Sequence, residues 1–141
     1  MKFIRTLILI VFCLPLMAKE LTAVYFQPRK TTIVGIIETQ TFPGPPGYES
    51  IAQGDKIESG WYLKLQNSVN VLIAPGQKPM DNDTATYNVK VIQMVIDYSK
   101  PYKISLKKGN VIKITGRLFS QLTGHHHARV LIEVENIEVI K

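Results

Sequence analysis

Val111-Ile112-Lys113-Ile114-Thr115-Gly116-Arg117-Leu118-Phe119 decides the fold class. Ile112, Ile114, Gly116 and Leu118 alternate with Lys113, Thr115 and Arg117, the period of two that a half-buried strand shows. A last strand starts at Arg129, with Val130, Ile132 and Val134 on one face, and its inward set then shifts to Ile137 and Val139. A slip of phase at Glu135-Asn136 predicts a β-bulge, which bends a strand as closure of a small barrel requires.

Upstream, residues 31–41 are rich in Thr, Ile and Val and read as a long first strand. Gly35 in its middle marks a bend or the close passage of another backbone. Residues 42–60 form a long connection of turn formers, Phe42-Pro43-Gly44-Pro45-Pro46-Gly47-Tyr48-Glu49-Ser50, stiffened by three prolines in four positions. Residues 61–66 alternate again, Asn67-Ser68 reads as a tight turn, and residues 69–73 complete a hairpin-like pair. Residues 74–86 read as an exposed insertion. Residues 89–97 carry apolar side chains at helical spacing, but their β-branching and short length favour a strand. Ser99 as a cap, Pro101 near a first turn and Gly109 as a stop predict a short helix after it.

The resulting order is a long strand, a long loop, a hairpin-like pair and a further strand, followed by a helix and two strands joined by a loop. With one strand added, this is the layout of a mainly β, small OB-like Greek-key barrel with one short helix between the later strands. An open β-sandwich is the alternative, and the strand count excludes an all-helical fold. In an OB-like barrel the loop after the first strand and the loop between the last two strands rise on one rim. Here those loops are residues 42–60 and 120–128.

Residues 1–18 read as a signal peptide. Lys2 and Arg5 precede an apolar stretch at residues 7–17, Pro15 breaks it, and Ala18 offers a small residue for cleavage. The stretch falls short of the roughly 20 residues that a membrane-spanning helix needs. Phe12 before Cys13 argues against a lipoprotein signal. Cleavage leaves residues 19–141 as a single domain, periplasmic or secreted, without a membrane span. Of the chain's 17 basic and 11 acidic side chains, the leader removes two basic ones. It also removes the single Cys, so disulfides, thiolate nucleophiles and Cys-ligated metals are excluded from the mature domain. The bases are scattered rather than striped, which argues against a nucleic-acid partner.

Residues 41–51, Thr-Phe-Pro-Gly-Pro-Pro-Gly-Tyr-Glu-Ser-Ile, and Thr123-Gly124-His125-His126-His127 together resemble the signatures of an uncharacterised bacterial exported family, a domain of unknown function. Residues 112–119 are similar to its pattern as well, and the likeness spans roughly residues 31–140. The resemblance implies an OB-like fold and an envelope setting, the latter because some members look like partners of lysozyme-inhibitor-like domains. It implies no chemistry.

All three histidines of the chain stand in one run, His125-His126-His127. On an extended segment His125 and His127 point the same way, close enough to share a divalent metal such as zinc, with Glu49 or Asp55 as helpers. The plainer reading is a structural loop with one histidine packed and the others solvated. Tyr48 and Trp61 flank the Pro-rich loop, and either can stack on a ligand or cover the end of the core. Ser50, Ser59 and Ser120 lie in no nucleophile motif, and the acidic pair Glu49 and Asp55 does not by itself specify a hydrolase. The expectation is a non-enzymatic binding module without a cofactor. Tyr48, Glu49, Trp61, His125, His126 and His127 would meet an envelope protein or small ligand. The alternative is a metal-binding protein or metal-dependent hydrolase built on His125 and His127.

Overall fold

A computed structural model describes residues 21–100 and 106–140. The expected signal peptide lies outside the described residues. Six strands form one sheet: β1 (Ala23–Tyr25), β2 (Lys30–Pro43), β3 (Ile57–Leu72), β4 (Thr86–Val95), β5 (Val111–Ser120) and β6 (Val130–Val139). β2 pairs antiparallel with β3 and β5, β5 with β6, and β3 with β4. β4 and β6 run parallel over three residue pairs. Passing from partner to partner through β2, β3, β4, β6 and β5 leads back to β2. β1 lies outside this ring, parallel to the end of β3.

The alternating residues supply the core. Ile112, Ile114 and Leu118 of β5 are fully buried, together with Ile37, Leu63, Ile92, Ile132 and Val134 from its neighbours. The bulge expected in the last strand is present. Thr115 faces Asn136 and Gly116 faces Val134, which leaves Glu135 as the extra residue. Gly35 is also a point of close approach, since a Cβ there would lie 2.6 Å from the carbonyl oxygen of Lys64.

Three expectations need correction. The hairpin over residues 61–73 is a single strand, because Leu63, Leu65, Val69 and Val71 are all odd-numbered and the alternation runs straight through Asn67-Ser68. Neither Asn67 nor Ser68 adopts the positive φ that a two-residue hairpin turn demands. The connection after the first long strand is also shorter than its composition suggests. Phe42 pairs with Glu58 and Pro43 with Ile57, so both ends of the supposed loop are strand. Finally, the strand expected to come first is preceded by another, since residues 23–25 form β1. The expected short helix falls largely on residues 101–105, outside the described residues, and its described flanks at 97–100 and 107–110 are turns. Among the described residues the one helical element is the 3₁₀ turn Ile51–Gln53.

At the bulge, a Cβ on Gly116 would fall 2.2 Å from the carbonyl oxygen of Glu133. That atom is backbone and cannot rotate away, so Gly116→Ala must push β5 and β6 apart. The expected cost is about 1–3 kcal/mol, as for other overpacked cores, read as a lowered urea midpoint with an unchanged m-value.

Candidate functional site

The connection at residues 44–56 is held by its own polar groups. The Gly44 N–H donates to the Lys56 carbonyl at 2.7 Å and the Lys56 N–H returns to Pro45 at 2.9 Å. Asp55 closes the inside of the turn, accepting from the N–H groups of Gly47 (2.7 Å), Glu49 (2.8 Å) and Ser50 (2.8 Å). The Ser50, Glu49 and Gly47 amides hold its carboxyl below the usual carboxylate range. Asp55 is therefore a brace of the loop and does not reach the histidines. Inside this brace Tyr48 adopts a φ of 59°.

The Tyr48 ring meets His125 edge-on, with centroids 5.2 Å apart, and its hydroxyl lies 3.0 Å from His125 Nε2. On the other side of the same imidazole, Nδ1 contacts the Glu58 carboxylate. A carboxylate can only accept, so the contact favours a proton on Nδ1 and leaves Nε2 of the neutral ring to accept from the Tyr48 hydroxyl. The second oxygen of Glu58 lies 3.1 Å from His127 Nε2. Burial pushes Glu58 up, but its hydrogen bonds and attraction to His125 and His127 outweigh that and hold it below its ordinary value. His127 stacks flat on Phe42, with centroids 4.2 Å apart and planes 5° from parallel.

The two loops thus meet, and His125 and His127 turn to one carboxylate while His126 turns away. His126 Nδ1 accepts from the N–H groups of Leu122 (3.0 Å) and Thr123 (3.3 Å), and its ring packs edge-on against Phe119. Gln93 anchors the run from below. Its Nε2 donates to the His125 carbonyl at 2.8 Å, and its Oε1 accepts from the N–H groups of His127 (2.7 Å) and Ala128 (3.1 Å).

The Glu49 side chain is exposed on the rim, and its backbone N–H is the part that Asp55 engages. Trp61 does not join the cluster. It packs against the main core beside Leu63, while Tyr62 between them faces the other way, toward Phe42. Glu58, Gln93 and Phe42 are the members that sequence reasoning missed. Glu58 and Phe42 lie in a stretch that reads as loop, and Gln93 interrupts the otherwise apolar run of residues 91–96, a signal that does mark a buried hydrogen-bonding role. Among the described residues no group of three or more His, Cys, Asp or Glu side chains is arranged to hold a metal ion. Nor is any described helix long and apolar enough to cross a membrane.

Comparison with known families adds one finding. Residues 92–138 match a family model described as a domain of unknown function (DUF4431). The match agrees with the expectation of an uncharacterised domain family. It takes in β5, most of β6, the histidine run and Gln93, but neither Tyr48 nor Glu58. No curated protein and no solved structure matches the chain.

Burial, followed by the charges of His125 and His127, lowers the pKa of His126 from its ordinary 6.5. The neutral ring also supplies the acceptor for two amides, which protonation removes. The share of stability that depends on it is complete above the ordinary value and is lost as pH falls from there through the folded value. Denaturation midpoints measured between about pH 5 and 8 are expected to drop more steeply on the acid side for the natural chain than for His126→Asn, which has no titrating ring at that position.

Proposed function

We propose that the chain is an exported, non-enzymatic binding module with an OB-like fold. In this reading it acts in the periplasm or outside the cell after cleavage near Ala18, and recognises an envelope protein or ligand through residues 42–60 and 120–128. The ring of pairings with its one parallel contact, β4 to β6, supports the OB-like reading, since a five-stranded Greek-key barrel needs that closure. The observation that carries the functional reading is the Tyr48–His125–Glu58 junction, which joins the two loops into a single surface. Tyr48, Glu49, His125 and His127 are its recognition residues, with His126 as internal support. Trp61 contributes through the core below.

A mature domain immobilised through its C-terminus is the direct test. Its capture of a specific envelope component is expected to fall at least about tenfold in a Tyr48→Ala/Glu49→Ala variant, the loss typical of central interface residues. Lys78→Ala, in the connection between β3 and β4, serves as the control. Equal capture by all three proteins overturns the reading.

The turning of two imidazoles toward one point favours a second reading, in which His125 and His127 bind a divalent metal such as zinc once released from Glu58. Elemental analysis of purified mature protein decides it. One metal per chain, lost in His125→Ala/His127→Ala, supports this reading, and a metal-free chain after equilibration with zinc removes it.

A further inference from the structure

β4 and β6 touch over only three residue pairs, from Gln93↔Leu131 to Val95↔Glu133. Before those pairs the strands diverge. Residues 88–91 form one bank and residues 127–130 the other, enclosing a groove of 340 Å³ whose floor is Gln40 and Tyr62. This groove adjoins the rim at His127 but uses none of the rim's other recognition residues.

Its polar groups share one character. Lys90 and Arg129 stand on opposite banks, both exposed. Elsewhere the surface cations of the sheet are matched to acids, as in Lys30–Glu135, Lys64–Glu38, Lys113–Glu138 and Arg117–Glu133. Lys90 has no ion pair among the described residues, and Arg129 has only a 3.4 Å hydrogen bond to the Tyr87 carbonyl. The nearby acids are already engaged, Glu58 by the two imidazoles and Glu38 by Lys64.

The floor adds an independent sign. Tyr62 is 1% exposed, yet its hydroxyl has no hydrogen-bond partner. Its ring runs back along β3 over Gly60, whose strand partner is Gln40 on the same floor. Burial, reinforced by the charge of Glu58, pushes the phenol up to about 12, so at neutral pH it keeps the proton with which it can donate. Among the described residues only this hydroxyl and one Asp83 oxygen are buried side-chain polar atoms without a partner, and of the two the Tyr62 side chain lines a groove.

We propose that this groove binds an oxyanion, the carboxylate or phosphate group of a small molecule. Arg129 and Lys90 supply charge from the two banks, the Gln40 and Asn88 amides give directional hydrogen bonds, and Tyr62 donates from the floor. A cleft with two cations, two amides and no free acid attracts an anion and repels a metal ion.

Amide NMR of the mature chain, titrated with sodium acetate and separately with sodium phosphate at constant ionic strength, tests the site. The expected result is saturable shifts confined to residues 88–91 and 127–130 with at least one of the two salts. Saturation by acetate alone assigns a carboxylate ligand, and saturation by phosphate alone assigns a phosphate ester. Lys90→Gln and Arg129→Gln should each weaken binding about tenfold, as losing a charge-assisted hydrogen bond does. Tyr62→Phe, which removes only an unpaired hydroxyl and so keeps the fold, should weaken it severalfold. Shifts that never saturate, that spread over Lys56, Lys78, Lys107 and Lys108 alike, or that persist unchanged in Lys90→Gln and Arg129→Gln overturn the proposal. Tyr48→Ala should leave anion binding intact, so failure of the rim reading and failure of this one are told apart.

Discussion

Two side chains placed opposite each other by strand pairing, Phe42 on β2 and Glu58 on β3, govern the whole upper end of the molecule. Phe42 offers a flat apolar face on which the His127 ring lies, and Glu58 offers two acceptor oxygens to two imidazoles. Without the last two pairs of that ladder, Phe42↔Glu58 and Pro43↔Ile57, both groups would belong to a loop. The histidine run would then have nothing fixed to lean on. The long-range contact between residues 58 and 125–127 thus follows from a local fact, that β2 does not stop at Thr41.

Beneath the rim, a polar residue does what an apolar one cannot. Gln93 lies buried between Ile92 and Met94, both of which are also buried. Its amide has one donor and one acceptor end, and both are consumed by the backbone of residues 125–128. A buried amide of this kind is tolerated because it is satisfied, and it fixes the register of the loop above it as no hydrocarbon could.

Much of the sheet was legible in the sequence. The alternation of residues 111–119 and the slip at Glu135 gave β5, β6 and their bulge directly, since burial on one face of a strand has no other period. Asn67-Ser68 misled because those residue types favour turns, whereas the unbroken odd-numbered apolar series on either side carried the stronger constraint. The meeting of the Pro-rich connection and the histidine run was legible from element order alone. Which groups make the contact was not. Glu58 acquires its role only through pairing with Phe42, and no spacing within the chain announces that. Asp55, expected as a helper for a metal, is spent on three amides of its own turn, a use that composition cannot separate from ligation.

The Asp55 brace has a consequence for how this end of the protein can vary. Its three accepted N–H groups all lie between Gly47 and Ser50, whereas residues 51–54 lie beyond it and are exposed on every side chain. The turn therefore divides into an inner half that fixes the aromatic ring and an outer tip that carries no tertiary load. Foreign sequence spliced into the tip would hang from a closed polar ring, much as a charm hangs from a clasp, and would leave the ring's geometry behind it undisturbed.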